Sequence, residues 1–210
     1  MTGRQILVTG FEPFGGALMN PSQELAKTVD GRGVGTFTVR GLVLPVHHEH
    51  ASSGMARALE EHDPWAVLHL GLAGGRARLA LERVAINVMD YPLPDNAGYC
   101  AAGEPCVSGG PPAYFATLPI RDMLRALVAD GVPAYISDTA GTYLCNQTLY
   151  GTLHLIERTG HRARAGFMHL PFLPAMVAAS GLDQPSMDVA VMLRAVEVSL
   201  AVIARALDAA

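Results

Sequence analysis

Short apolar runs alternate with longer amphipathic segments along most of the chain. The apolar runs predict strands: QILVTG, TFTVRGLVLPV, WAVLHLGLAGG, RLALERVAINV, AYISDTAG and RAGFMHLP. The amphipathic segments predict helices: NPSQELAKTV, HEHASSGMARALEEH, PIRDMLRALVADG, a segment beginning near Cys145 and one C-terminal helix. This alternation predicts a single α/β domain, with helices on both faces of a largely parallel sheet.

Local signals place the ends of the predicted elements. Asn20 as N-cap, with Pro21 at the first helical position and Gln23 at the third, predicts a helix start. Ligands of such sheets bind beyond the carboxyl ends of the strands, where we expect the GFEPFGG, GLAGG, SDTAG and HLPFLP segments to lie. The long Gly- and Pro-rich loop at 90–112 is typical of a functional or mobile segment.

Composition narrows the setting. A chain of 210 residues predicts one domain over 1–210, and 50% hydrophobic with 16% charged residues excludes a disordered protein. The net charge of −4 argues against nucleic-acid binding. Charged side chains interrupt the apolar stretch 187–207, which argues against a membrane span, and the first residues do not match an export signal. Three cysteines favour free thiols in a reducing cytoplasm.

One cysteine lies where a helix is expected to begin. With Gly141 closing the turn and Thr142 as N-cap, the Cys145 sulfur would face unpaired backbone N–H groups and the positive end of the helix dipole. This environment lowers the pKa of a thiol, as a nucleophile requires. The alternative is a buried cysteine that only packs in the core.

Two further residues complete a possible catalytic group. Alternation in LALERVAINV places Glu82 on an apolar face with Ala80, where a carboxylate needs a partner; a shifted register that pairs it with Arg83 in solvent is the alternative. His169 lies in an apolar strand just before a proline, and it is either a structural histidine or a base. A thiol nucleophile needs a base and an orienting acid, and we expect all three near one rim of the sheet.

Other signals are weaker. HHEH at 47–50 does not match the usual zinc spacings, so neither a metal nor another cofactor is expected. GLAGGR lacks the glycine spacing and the lysine of nucleotide-binding loops. Cys100 and Cys106 lie in the long loop and are interpreted as bystanders rather than a redox pair.

The quoted segments resemble one known family. VTGFEPFGG, GLAGGR with LERVAINV, PDNAGY, GGPPAYFATLPI, SDTAGTYLCNQTLYG and GFMHLPFLP are similar to the pyroglutamyl peptidase I family, in the same order, from about 6 to about 174. The resemblance implies a cytoplasmic cysteine exopeptidase that removes N-terminal pyroglutamate from peptides. It also implies a three-layer α/β/α sandwich, with a twisted, largely parallel (mixed) central sheet, and a homotetramer. Cys145 matches the family's nucleophile, His169 its base and Glu82 its acid.

The resemblance also implies a substrate pocket. The aromatic side chains that hold the pyroglutamyl ring match Phe11 and Tyr143, with Phe14 nearby, and the pocket is expected to include Leu72, Leu93 and Leu144. Many members carry Gln at the position of Leu72 and Arg at that of Pro92. Two alternatives stay open: another thiol-dependent hydrolase of small amides, and a pyroglutamyl-binding protein without turnover.

Overall fold

A central β-sheet organises the protein, whose computed structural model describes residues 3–181 and 183–209. The strands are β1 (Gln5–Phe11), β2 (Gly33–Val34), β3 (Phe37–Leu44), β4 (Ala66–Leu72), β5 (Leu79–Glu82), β6 (Val84–Ile86), β7 (Met89–Asp90), β8 (Ala102–Glu104), β9 (Ala113–Phe115), β10 (Ala134–Ser137) and β11 (Arg164–Leu170). The helices are α1 (Pro21–Val29), α2 (His48–His62), α3 (Ile120–Ala129), α4 (Leu144–Thr159), α5 (Pro174–Ser180) and α6 (Val189–Asp208).

Seven strands form the main sheet, in the order β10-β5-β11-β4-β1-β3-β2. β3, β1, β4 and β11 are parallel to one another, which is the arrangement that strand–helix alternation predicts. β5 pairs antiparallel with β11, and β2 pairs antiparallel with β3, so the sheet is mixed. The predicted α/β class with a largely parallel, mixed sheet is confirmed.

Both faces of the sheet are buried under helices, which makes three layers. Along β1, Ile6 and Val8 pack in the cluster that contains α1, α3 and α6 residues, whereas Leu7 packs with α2 and α4 on the other face. The same alternation continues in β4, where Leu68 and Val67 face opposite sides. Among the described residues, no helix is long and apolar enough to cross a membrane.

The helix start predicted at Asn20 is confirmed. Asn20 Oδ1 accepts the Ser22 N–H at 3.0 Å, and Pro21 is the first residue of α1. The same side chain donates to the Glu12 carbonyl at 3.1 Å, while Ser22 Oγ accepts the Phe11 N–H at 3.0 Å. The start of α1 therefore holds the end of β1 and the loop that follows it.

Three predicted elements differ in the structure. RLALERVAINV is not one strand, because the chain leaves the main sheet after Glu82 and β6 pairs with β9. The segment 90–112 is not loop throughout, because β7 and β8 pair across its first part. The single predicted C-terminal helix is two helices, α5 and α6, and Gly181 at φ 66° ends the first of them.

Candidate active site

Glu82 and His169 meet inside the sheet. Glu82 lies opposite Phe167 in the antiparallel pair of β5 and β11, so His169, two residues further along β11, is its diagonal neighbour on the same face. Glu82 Oε1 lies 2.7 Å from His169 Nδ1. Glu82 is fully buried and His169 is 4% exposed, which favours the buried alternative for the acid over pairing with Arg83 in solvent.

The expectation that all three residues share one carboxyl rim is wrong for Glu82. β5 and β10 run opposite to β11, so their carboxyl ends point away from the rim formed by β1, β4 and β11. Glu82 reaches His169 sideways across the sheet. The residue pattern of a short strand such as β5 does not show whether the strand runs parallel or antiparallel to its neighbour.

Cys145 approaches the same point from α4. The N-cap of α4 is Tyr143 rather than the predicted Thr142. The Thr142 hydroxyl instead donates to the Asp90 carbonyl at 2.5 Å. Cys145 still lies in the first turn of α4. The sulfur lies over Gly71 of β4, since a Cβ built on that glycine would be only 2.9 Å from Sγ. Gly71 is the register partner of His169, so sulfur and imidazole lie over adjacent strand positions.

Burial disfavours the thiolate form of Cys145, contrary to the lowered pKa expected from the helix dipole. Burial raises the pKa of Cys145 to about 12, and the charge of Glu82 acts in the same direction. Arg76 and the backbone N–H of Cys145 oppose this increase. Burial also lowers the pKa of His169, against the Glu82 hydrogen bond and charge, which raise it. Burial therefore favours the neutral form of both side chains, and a neutral imidazole can accept a proton.

A cavity of about 210 Å³ opens beside the sulfur and the imidazole. Five of the six predicted pocket residues line it: Phe11, Phe14, Leu72, Tyr143 and Leu144. Leu93 does not belong to this wall; it lies against the loop at Gly15, where an added Cβ would be 3.3 Å from Leu93 Cδ1.

Aromatic contacts fix the shape of the cavity. The rings of Phe14 and Tyr143 lie 5.8 Å apart, and Tyr91 packs edge-on against Tyr143 at 4.7 Å. The Tyr143 hydroxyl donates to the Pro94 carbonyl at 3.2 Å, which connects the start of α4 to the 90–112 segment. The cavity between these side chains is largely apolar, and Cys145 and His169 lie in its wall.

Sequence reasoning missed Arg76. This residue lines the cavity, and its Nη1 lies 2.9 Å from Glu82 Oε1. The signal was present in GLAGGR, where a cation follows a glycine turn a few residues before the buried acid.

The histidine cluster lies at the start of α2. His47, His48 and Asp95 place one possible ligand atom each within 4.8 Å of one another. His47 Nδ1, however, accepts the backbone N–H groups of Glu49 and His50. Asp95 accepts the His48 backbone N–H and contacts the His48 ring at 3.0 Å, and these hydrogen bonds hold its pKa at about 2. These contacts account for the cluster as a helix cap tied to the 90–112 segment.

Comparison with known proteins places the chain in a family. The sequence family described as pyroglutamyl peptidase matches residues 4–206. The chain belongs to the pyroglutamyl peptidase family. It is 45% identical over 201 residues to the pyrrolidone-carboxylate peptidase of Klebsiella pneumoniae, covering 95% of this chain and 92% of that protein.

Relatives from other organisms agree in sequence and in structure. The chain is 43% identical over 201 residues to the pyrrolidone-carboxylate peptidase of Pyrococcus furiosus, covering 94% of this chain and 97% of the relative. The crystal structure of pyrrolidone carboxyl peptidase from that hyperthermophile matches with a TM-score of 0.94 at 42% identity, over 97% and 99% of the two chains. The family resemblance seen in the sequence is thus confirmed.

Proposed function

We propose that this protein hydrolyses the amide bond that follows an N-terminal pyroglutamyl residue in peptides. The observation that carries the proposal is that the Cys145 thiol and the His169 imidazole line one small aromatic cavity, while the buried Glu82 carboxylate is hydrogen-bonded to that imidazole. A pyroglutamyl ring is a flat, neutral lactam without an α-ammonium group, so an apolar slot of about 210 Å³ suits it.

The first chemical step follows from the hydrogen bonds. Glu82 accepts the Nδ1–H of His169, which leaves Nε2 as the acceptor for a proton. Nε2 takes the thiol proton as the Cys145 sulfur bonds to the carbonyl carbon of the pyroglutamyl group. Because both groups start neutral, the imidazolium and the developing oxyanion form together, and the buried Glu82 charge stabilises the imidazolium.

The remaining steps use the same groups. Backbone N–H groups in the first turn of α4 lie at the positive end of the helix and stabilise the oxyanion. The imidazolium then returns its proton to the departing amine, which leaves with a free N-terminus, and a thioester remains on Cys145. Water, deprotonated by His169, attacks this thioester, so that pyroglutamate departs and the thiol is restored.

The assembly and location are part of the same proposal. The family resemblance supports a homo-oligomer, a tetramer, working in the cytoplasm. Free cysteines at Cys100, Cys106 and Cys145 suit a reducing compartment. The proposed partners are peptides that begin with pyroglutamate, with neither nucleic acid nor membrane involved.

A substrate panel tests the function. We expect the purified protein to hydrolyse pyroglutamyl anilide and to leave prolyl and alanyl anilides intact, because only the lactam fits the slot without a charge. Cys145→Ser should lower kcat/KM on the order of a thousandfold or more, because a serine hydroxyl is far harder to deprotonate. Release of the chromophore measures both effects.

The control is Cys100→Ser, which changes an exposed thiol in the same way. We expect it to keep wild-type activity and to remain sensitive to iodoacetamide. Equal hydrolysis of the three anilides would contradict the substrate assignment. Full activity of Cys145→Ser would contradict the assignment of the nucleophile.

A further inference from the structure

Arg76 contacts the oxygen that orients the base. Its Nη1 lies 2.9 Å from Glu82 Oε1, and the same oxygen lies 2.7 Å from His169 Nδ1. Arg76 reaches this position from the turn after β4, where Gly75 at φ 79° lets the chain turn back toward the sheet. The cation and the imidazole thus share one acceptor atom.

The burial of Glu82 makes this contact important. The side chain has no exposed surface, and its Oε2 has no hydrogen-bond partner among the described residues. An isolated carboxylate in such a place is strongly disfavoured and becomes neutral by taking a proton. Arg76 is the permanently charged cation among the described ion-pair partners of Glu82, because the other partner is a histidine with a lowered pKa.

We propose that Arg76 is a positioning residue for the reaction proposed above: its guanidinium pairs with the Glu82 carboxylate and turns Oε1 toward His169, which fixes the Nδ1–H tautomer of the imidazole. The hypothesis rests on the proposed function, and it assigns Arg76 no contact with the reacting atoms. The 28% exposure of the arginine side chain lets it stay hydrated while it stabilises the buried acid.

The charges around the pair define the pH consequence. Arg76 faces Glu82 and His169 from the β4–β5 turn, and Cys145 faces them from α4. Arg83, the residue after Glu82, is turned to the exposed side, where it pairs with Asp138 at 3.1 Å. The Arg76 charge lowers the pKa values of both His169 and Cys145. Without it, we expect His169 to take up a proton at higher pH.

The test compares Arg76→Met and Arg76→Lys with Arg78→Met. Arg78 lies two residues further on, is exposed, and stacks on Tyr135 with 4.6 Å from Cζ to the ring centroid, so its loss removes the same charge away from Glu82. Two pH profiles are recorded for each folded protein: kcat/KM for pyroglutamyl anilide, and alkylation of Cys145 by iodoacetamide followed by mass spectrometry. The second profile needs no peptide substrate.

We expect the acidic limb of both profiles to move to higher pH in Arg76→Met. At a pH on the acidic limb, each rate is divided by the plateau rate of the same protein. This ratio should be on the order of tenfold lower in Arg76→Met than in the wild type. Arg76→Lys keeps the charge and should keep the limb near the wild-type position, and Arg78→Met should match the wild type. A residue that only supported the fold would not move the limb.

Two results would overturn the hypothesis: a limb in Arg76→Met that coincides with that of Arg78→Met, or an equal displacement in Arg76→Lys and Arg76→Met. Arg76→Gln replaces the methionine variant if circular dichroism shows that the latter is unfolded. The alkylation profile separates this question from the proposed function. If wild-type protein does not hydrolyse the anilide, the function fails while the alkylation comparison still decides the role of Arg76.

Discussion

Two buried histidines on adjacent strands have different environments. His69 of β4 contacts the hydroxyls of Thr9 at 2.7 Å and Thr152 at 3.1 Å, whereas His169 contacts the carboxylate of Glu82. Hydroxyl partners satisfy a neutral ring and do little for a charged one. A carboxylate partner stabilises the imidazolium, which is the form that a base passes through. The Glu82 carboxylate therefore distinguishes His169, the proposed base, from His69, whose partners are hydroxyl groups.

Glu82→Gln tests this distinction at a single atom pair. The amide can donate to Nδ1, which moves the ring proton to Nε2 and leaves no acceptor facing the thiol. We expect kcat/KM for pyroglutamyl anilide to fall by about two to four orders of magnitude. Glu60→Gln on the exposed face of α2 is the matched control and should retain full activity. Retention of activity by Glu82→Gln would remove the acid from the proposed mechanism.

At the scale of elements, α4 is bound both to the main sheet and to the chain that runs from β6 to β7 beside it. Asn146, the residue after the nucleophile, accepts the Ile86 N–H and donates to the Ile86 and Val88 carbonyls, each at 2.9 Å. The chain that leaves β5 after Glu82 is thus bound to the first turn of α4. This connection, together with the close approach of the sulfur to Gly71, sets the distance between nucleophile and acid.

Gly71→Ala tests the close approach of helix and strand. The added Cβ would lie 2.6 Å from Phe167 Cζ and 2.9 Å from Cys145 Sγ, so the sulfur and a core ring must both move. We expect kcat/KM to fall by about a hundredfold, because small displacements of reacting groups cost that much, and the midpoint of thermal unfolding to decrease.

Gly54→Ala in α2 is the matched control. Its Cβ would meet Leu44 Cδ2 at 3.6 Å, an ordinary contact, and alanine favours the helix by about 1 kcal/mol. We expect unchanged activity and a higher unfolding midpoint in calorimetry. Equal activities of the two variants would contradict the close-approach argument.

At the scale of the whole molecule, the buried histidines link stability to pH. Burial lowers the pKa of His69 to about 3 from an ordinary value of 6.5. Between these values the unfolded chain binds a proton that the folded protein does not bind, so stability is lost as the pH falls below 6.5. The lowered pKa of His169 acts in the same direction.

His69→Gln should flatten this dependence. Urea unfolding at a series of pH values should show that the wild type loses on the order of 4 kcal/mol through His69 between the ordinary and the lowered pKa. The variant should start less stable at neutral pH and lose less on acidification. His50→Gln, at an exposed position, should keep the wild-type slope. An unchanged slope in His69→Gln would show that its proton uptake does not control acid unfolding.

The sequence by itself predicted most of the elements and the three candidate catalytic residues. Periodicity located most strands and helices, and the cap at Asn20 follows from local hydrogen bonding that needs no distant partner. A thiol at a helix start indicates a nucleophile, a carboxylate among apolar residues needs a partner, and an imidazole in an apolar strand can serve as the base; these patterns predict Cys145, Glu82 and His169 as the catalytic group. The predictions of the pocket residues and of the substrate came from the resemblance to the family.

Tertiary structure alone decided how these residues meet. The antiparallel direction of β5 carries Glu82 inward beside Phe167, a choice between strand directions that a four-residue strand does not encode locally. Burial raises the pKa of Cys145, whereas the position at a helix start predicted a lowered pKa. Desolvation of the sulfur depends on the residues that the whole chain packs around it. The contact between Arg76 and Glu82 also depends on the tertiary structure, because the turn after β4 must fold back over the sheet. Local sequence patterns do not predict how close these two side chains come.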